Sequence, residues 1–405
     1  MPSVVGQALQ RVGAFLKPVE RANRAFLRSV SRWVWRNRPL QERLDPATVR
    51  RVLFLRHDVL GDMLTTMPMF RLLKQLNPQI QIHVVASPSN RVLIEHDPNV
   101  DAVILMPRGF WPMVKAIRTA RRNRYDVVLA CIFGKGTNTG MLANLMGGRS
   151  AIKATVNRDP RYHAYFNVQS GRAAQIRSMW EKMLMLVADT FNIPDSVEAI
   201  QPYVAIPEAS ALAAQQRLAE LGLQGERILA VNLSTARERN RWRIERFHEL
   251  LREVLVRYPT LRLLLLTTPN DTKSADQLQQ LLHDTRVAAY PTTTDVMEVI
   301  AVIKQSWMAF TPDTGIIHMA SAVGTPVVGL YVGGQAVAEW RPFGVPYRVI
   351  ASVDSLPVGT IPTKRALEGL EELMVEVEEG NQPAQPLAMK QKETRAETRA
   401  ESFDG

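Results

Sequence analysis

Three short segments of this 405-residue chain place carboxylates, hydroxyls, arginines and glycines at spacings that chemistry could use. The first is Arg56-His57-Asp58-Val59-Leu60-Gly61-Asp62, where an aspartate follows a glycine at the predicted passage from strand to helix. Glycine permits a tight turn or a close backbone approach, and a helix N-terminus presents free N–H groups to an anion. Arg56 and Gly61 are therefore candidates for acceptor or anion binding. Asp62 has two readings: it can cap the helix, ionised and hydrogen-bonded, or it can stand in a cleft as a base.

The second segment is Thr311-Pro312-Asp313-Thr314-Gly315-Ile316-Ile317-His318, followed by the small residues Ala320, Ala322 and Gly324. Asp313 and Thr314 occupy cap positions, Gly315 lets a phosphate reach the backbone, and His318 falls about one turn into the helix. A well-capped helix carrying a core histidine is the plain alternative. The third segment, Ser234-Thr235-Ala236-Arg237-Glu238-Arg239-Asn240-Arg241-Trp242, follows another predicted strand. Ser234, Thr235, Arg239 and Arg241 suit a diphosphate through hydroxyl and bidentate guanidinium contacts; a solvated charged loop is the alternative. Gly333-Gly334 with Glu339-Trp340-Arg341-Pro342 marks a further loop after a strand, to which no chemistry is assigned. No Asp-x-Asp pair is present to hold a diphosphate-bound cation, so no metal and no cofactor are expected, and helix N-termini with arginines would meet a departing diphosphate.

These segments need a scaffold of strands ending where they begin. Short apolar runs at Arg51–Leu55, Ile80–Ala86, Ala102–Leu105 and Val127–Ala130 alternate with helical patterns at Asp62–Leu76 and 111–122. Residues 134–148 contain five glycines and are expected to be part loop, part short helix, and a longer helix is expected over Ala173–Phe191. After a junction at 194–207, rich in proline, the alternation restarts. Helices are predicted over Glu208–Leu221, Ile244–Tyr258, 273–283, Val296–Gln305 and Gly315–Val323. Strands are predicted over Ile228–Leu233, Leu261–Thr267, Val287–Tyr290, Trp307–Phe310 and Val327–Tyr331. Alternating strands and helices indicate parallel sheets covered on both faces, and the restart indicates two such domains, at 50–193 and 208–350, with a cleft between them. A helical segment over 351–379 and a disordered tail over 380–405 complete the expected order.

The composition narrows the class. Hydrophobic residues make up 46% of the chain, enough for two cores, and the lone Cys131 excludes an intrachain disulfide. No Cys/His cluster has zinc spacing. No run of 18 or more apolar residues suggests a membrane span, and charges interrupt any signal-like core near the N-terminus. Of the net charge of +11, about +7 lies in residues 1–43, which hold nine Arg or Lys and two Glu. Residues 5–36 read as amphipathic helix, with Phe, Leu, Val and Trp against Arg21, Arg24, Arg28, Arg32 and Arg36. That is the composition of a helix lying on an anionic membrane; packing on the protein is the alternative. The basic charge is local and no nucleic-acid fold motif accompanies it, so nucleic acid is not expected as a partner.

Taken in order, Arg51-Val52-Leu53-Phe54-Leu55-Arg56, Gly61-Asp62, Pro68, Leu73-Lys74 and Pro78, then Asp97-Pro98-x-Val100-Asp101-x-Val103-Ile104, then Asp313-Thr314-Gly315 with His318, Ala320, Ala322, Gly324 and Pro326, resemble the bacterial ADP-heptose:lipopolysaccharide heptosyltransferases, glycosyltransferase family 9. The resemblance covers roughly residues 50–350. It implies an α/β GT-B architecture of two facing Rossmann-like domains, an ADP-sugar donor, and a lipopolysaccharide core or related lipid-linked acceptor. It also implies inversion at the anomeric carbon. Asp62 matches the residue usually given the role of base, and Asp313, Thr314, Gly315 and His318 match donor-side positions. The chain departs from the family where a lysine often precedes the tryptophan of the third segment. Asn240 and Arg241 stand there, so Arg239 or Arg241 would supply the charge. The expected setting is cytoplasmic, peripheral on the inner face of the cytoplasmic membrane. The competing classes are a nucleotide-sugar-binding scaffold or sensor without turnover, and an epimerase of related architecture.

Overall fold

The structure is a computed structural model that describes residues 29–30, 33–132, 136–157, 159–170, 178–193 and 200–380. Most of the amphipathic segment 5–36, the start of the junction at 194–207 and the tail after Gly380 lie outside the described residues.

In chain order the first half contains β1 (Arg51–Arg56), α1 (Leu60–Leu76), β2 (Gln81–Ala86), β3 (Ala102–Leu105), α2 (Phe110–Arg122), β4 (Val127–Ala130), α3 (Gly136–Gly147), β5 (Ile152–Thr155), β6 (Val168–Gln169) and α4 (Met179–Thr190). The second half contains α5 (Glu208–Glu220), β7 (Ile228–Asn232), α6 (Ile244–Arg257), β8 (Arg262–Leu266), α7 (Thr272–Leu282), β9 (Val287–Ala289), α8 (Val296–Gln305) and β10 (Met308–Pro312). It ends with α9 (Gly315–Val323), β11 (Val327–Tyr331), α10 (Gln335–Trp340), β12 (Tyr347–Ala351) and α11 (Thr363–Glu378).

Each half forms a six-stranded sheet, in the orders β3-β2-β1-β4-β5-β6 and β12-β11-β10-β7-β8-β9. All pairings between these strands are parallel. Renumbered from its own first strand, the second sheet repeats the order of the first. In both, the order reverses beside the first strand, at β1/β4 and at β7/β10, where doubly wound sheets open a crevice at their strand ends.

Strand residues alternate between faces. In β1, Leu53 and Leu55 join α2 and α3 in one core, while Val52 and Phe54 join α1 and α4 in another. That second core continues without a break into α5, α8 and α9 of the other domain. A third core lies beneath α6, α7 and α11 on the far face of the second sheet. The two domains thus meet through their inner helix layers, and α11 packs on the second domain.

Several elements differ from the sequence expectations for identifiable reasons. Residues 136–147 form a full helix because their glycines serve contact rather than flexibility: a Cβ on Gly140 would lie 2.6 Å from the Tyr165 ring. Helix α4 starts at Met179, where Ser178 and Glu181 form a reciprocal capping box. Strands β5, β6 and β12 carry no apolar alternation long enough to announce them. Lys153, in β5, is fully buried and hydrogen-bonds Asn37 Oδ1 and the Arg149 carbonyl, each at 3.4 Å. Burial pulls its amine down to about 8.

Candidate functional site

The loop after β1 is held by a buried guanidinium. Arg56 is 0% exposed. Its Nε donates to the Asp62 carbonyl at 2.7 Å and Nη1 to Asp58 Oδ2 at 3.1 Å and to the Cys131 carbonyl. Nη2 reaches Thr65 Oγ1 at 3.3 Å and lies 3.4 Å from Asp62 Oδ1. Arg56 was a candidate for anion binding, but its enclosure leaves it to organise two carboxylates rather than meet a ligand directly. Asn90 and Ser87 fasten the same loop by donating to the Arg56 and Asp58 carbonyls, at 2.9 and 3.0 Å. The Cys131 thiol behind them is pushed up to about 12 by burial.

Asp62 does not cap α1. Val59 is the N-cap and makes no side-chain cap bond, and Asp62 sits in the first turn with its side chain 13% exposed. Its Oδ1, 3.4 Å from Arg56 Nη2, makes no hydrogen bond of good geometry with that guanidinium, and Asp58 Oδ1 meets no donor other than the neighbouring acid when one of the two is protonated. Burial, with the neighbouring Asp62 charge adding to it and Arg56 opposing, raises the Asp58 carboxyl to about 7. Two acids therefore share one arginine, and Asp58 keeps its proton through the weakly acidic range.

The N-terminus of α1 abuts α9 of the second domain. A Cβ on Gly61 would lie 2.9 Å from His318 Cδ2, closer than side chains tolerate, so glycine is what lets the two helices meet. His318 is buried between the Trp180 and Trp340 rings, at centroid distances of 5.9 and 5.8 Å. Burial first, then Arg56, lower its imidazole to about 4, so it is neutral at physiological pH. His318 Nδ1 and Trp180 Nε1 lack hydrogen-bond partners. Two orphan polar atoms, from Trp180 and His318, thus lie at this junction beside the Asp58 and Asp62 carboxyls. Each would cost about 1–3 kcal/mol if nothing ever paired with it. Around the seam Lys182 pairs with Glu339 at 2.9 Å and Arg341 with Glu181 at 3.4 Å.

On the second domain a cavity of about 630 Å3 opens at the β7/β10 crevice. Asn232, Ser234, Thr235, Arg241, Thr314 and Gly315 supply its polar wall; Leu266, Pro269, Tyr290, Val296, Ile316 and Met319 supply apolar surface, and Leu60 of α1 reaches in from the other domain. Thr314 is the N-cap of α9, its hydroxyl accepting from Ile316 N at 3.3 Å. Asn232 Nδ2 donates to Thr311 Oγ1 at 2.9 Å and to the Ser234 carbonyl at 3.0 Å, tying the two loops together. Ser234 Oγ accepts from Thr268 N at 2.9 Å. Arg241 is held by Glu238 at 2.9 Å and lies 3.7 Å from Asp271. Arg239 does not line this cavity; it donates to the Ser355 carbonyl.

Asn240 is one of the two positions, with Arg241, that stand before Trp242 in place of a lysine. Its amide donates to Asp313 O at 3.0 Å and Asp313 Oδ2 at 3.2 Å. Burial raises the Asp313 carboxyl, with Arg237 and Asn240 pulling the other way. The structure therefore brings Asp62, Gly61 and His318 to the domain seam, and Ser234, Thr235, Arg241, Thr314 and Gly315 to the adjoining cavity, with Asp313 fixed behind it. Asp58, Trp180, Asn232 and Asn240 were not singled out as site residues from sequence. Among the described residues no group of three or more His, Cys, Asp or Glu is arranged to hold a metal ion, and no helix is long and apolar enough to cross a membrane.

Comparison with known proteins adds an independent line. The profile of glycosyltransferase family 9 (heptosyltransferase) matches residues 113–357, more than half of the chain. A Haemophilus influenzae protein provisionally named a glycosyltransferase is 23% identical over 73% of this chain and 86% of its own length. The lipopolysaccharide core heptosyltransferase OpsX of Haemophilus influenzae is 20% identical over 68% of this chain and 77% of its own. The structure of the E. coli ADP-heptose lipopolysaccharide heptosyltransferase II superposes with a TM-score of 0.63 at 20% identity, covering 81% of this chain and 99% of that one.

Proposed function

The chain belongs to glycosyltransferase family 9, the heptosyltransferase family, and from that premise we propose that it transfers heptose or a related sugar from an ADP-sugar to a lipopolysaccharide core or related surface glycolipid. The names of its relatives, a lipopolysaccharide core heptosyltransferase and an ADP-heptose heptosyltransferase, favour that donor and acceptor class. The observation that carries the reading is the meeting of two helix N-termini at the seam, α1 bearing Asp62 and α9 bearing Thr314 and Gly315, with Gly61 against His318.

The ADP moiety occupies the second-domain cavity. Its diphosphate meets the N-terminal amides of α9, the Ser234, Thr235 and Thr314 hydroxyls and the Arg241 guanidinium, and its base rests on the apolar wall. The acceptor hydroxyl reaches Asp62 from the first domain. Asp62 takes the hydroxyl proton as the oxygen attacks the anomeric carbon opposite the diphosphate. The carbon–oxygen bond to the nucleotide breaks, and inversion results. Negative charge grows on the diphosphate, and the α9 dipole and Arg241 offset it.

An Asp62→Asn chain tests this: it should bind ADP-heptose as the parent does and lose about 100- to 10,000-fold in transfer. Undiminished transfer would remove Asp62 as the base. Residues 5–36 would keep the enzyme on the inner face of the cytoplasmic membrane, beside its lipid-linked acceptor. A full chain that stays in solution with anionic vesicles would exclude that placement.

A further inference from the structure

Helix α2 carries a face that the transfer reaction does not use. Phe110 and Trp111 are 64% and 75% exposed at its start, their rings packed edge to face at 5.3 Å. Trp111, Lys115, Arg118 and Arg122 follow at spacings of four, three and four, which puts them on one stripe running the length of the helix. All four are exposed, as are Arg108 and Arg124 at the two ends, and no acidic residue lies between Asp101 and Asp126. The opposite side of α2, with Ala116 and Ala120, is buried in the outer core of the first domain.

The surroundings say what this stripe fits. Between α2 and α3 lies a cavity of about 890 Å3 whose walls include Met106, Met113, Ile117, Met141 and Leu142 and whose inner end holds His57 and Asp58. The segment leading in from the N-terminus is fastened to the same outer layer. The Trp35 ring packs tilted against Tyr165 at 6.0 Å and Asn37 donates to Asn144 of α3 at 2.8 Å, while Trp33 is left 75% exposed. A straight stripe of aromatics and cations meets a plane along its whole length. Aromatic side chains favour the headgroup region of a bilayer, and cations favour its phosphates.

We propose that the outer face of α2 is a lipid-docking surface: Phe110 and Trp111 enter the headgroup layer of an anionic bilayer, and Lys115, Arg118 and Arg122 engage its phosphates. Docked this way, Phe110 and Trp111 hold the Arg108 and Gly109 end of the cavity between α2 and α3 next to the headgroup layer, within reach of a lipid-linked acceptor. This rests on the membrane setting of the proposed function and not on the identity of the sugar.

The test uses the full chain with vesicles of phosphatidylethanolamine and phosphatidylglycerol, against phosphatidylcholine alone. The parent chain should sediment with the anionic vesicles. Lys115→Glu/Arg118→Glu/Arg122→Glu should lower partitioning by at least about 100-fold, the share of three surface cations. Phe110→Ser/Trp111→Ser should lower it by at least about tenfold. Both variants should bind ADP normally, because the nucleotide cavity is on the other domain. Quenching of tryptophan fluorescence by brominated lipid, reduced by Trp111→Phe alone, reads the same contact without altering charge. Parental partitioning in both multiple variants, or unchanged quenching in Trp111→Phe, overturns the docking surface. So does a chain that ignores vesicles and binds short RNA through these cations. Transfer to a delipidated acceptor by a chain that stays off vesicles refutes the docking alone; vesicle binding through α2 without any transfer refutes the reaction alone.

Discussion

Replacing Asp58 with asparagine should separate two pH effects that run in opposite directions. Asp58 holds its proton up to about 7 because its carboxyl is buried beside Asp62, with Arg56 only partly compensating. A protonated Asp58 donates toward Asp62 and so competes with the acceptor hydroxyl for the carboxylate that must take a proton. At pH 6 about one Asp58 in ten is ionised and at pH 8 about nine in ten, so transfer should rise about ninefold across that interval. Stability moves the other way. A carboxyl whose folded value is raised contributes stability that is fully present below its unfolded value of 3.8 and is lost as pH rises through about 7. At 1.36 kcal/mol per pH unit that window corresponds to roughly 4 kcal/mol, an upper bound because the side chain keeps 22% exposure. Asparagine keeps an oxygen for Arg56 Nη1 and has no proton to lose. The variant should therefore show a transfer rate that is flat from pH 6 to 8, together with a urea midpoint that no longer falls over the same range. Initial rates with ADP-heptose and urea titrations at both pH values measure the two. An acid limb near pH 7 that survives in Asp58→Asn would refute the assignment of that proton to Asp58.

Two further substitutions probe the seam and the donor loop. Gly61→Ala gains some helix propensity, up to about 1 kcal/mol, but its methyl group meets His318 at 2.9 Å, where two tryptophans leave little room to yield. Overpacking of about 1–3 kcal/mol should win, lowering the melting temperature, and Gly61→Ala/His318→Ala should recover most of the loss. Asn240→Ala removes the amide that holds Asp313 and should weaken ADP binding in calorimetry by about 5- to 100-fold, with the fold intact by circular dichroism. Parental affinity in Asn240→Ala would show that Asp313 needs no such support.

The places of Gly61-Asp62 and Thr314-Gly315, each where a strand passes into a helix, were readable in the sequence, and so was the cap that Thr314 supplies; that Asp62 caps nothing and that Gly61 meets His318 of the other domain was not, because neither is written in adjacent residues. The two-sheet architecture was readable from strands and helices alternating twice. Asp58 was not singled out because what distinguishes it, a guanidinium shared with Asp62 behind a buried loop, depends on Cys131, Ser87 and Asn90 arriving from other strands. Asn240 carried no signal of its own in the sequence, since its partner Asp313 lies in another loop. Trp180 belongs to a helix of the first half, yet it closes over His318 of the second. The marks at Asp97 and Asp101 turned out to bind the scaffold: Asp97 accepts from Tyr203 at 2.7 Å, and Asp101 pairs with Lys74 at 2.9 Å. Within residues 134–148 the helix is longer than expected, because glycines that admit a tyrosine ring look the same in a sequence as glycines that loosen a loop.

The buried sulfur behind Arg56 has a practical consequence. Cys131 is the chain's only cysteine, and with its thiol pushed up to about 12 less than about one molecule in ten thousand is a thiolate near pH 7.5. The native chain is in effect silent toward maleimides. Cysteines introduced at exposed positions on either side of the cleft, such as Val59 and Asn270, can take a pair of fluorophores without any background substitution. Energy transfer between them would then report, in real time and in otherwise unmodified protein, whether the distance across the cleft changes when nucleotide is added.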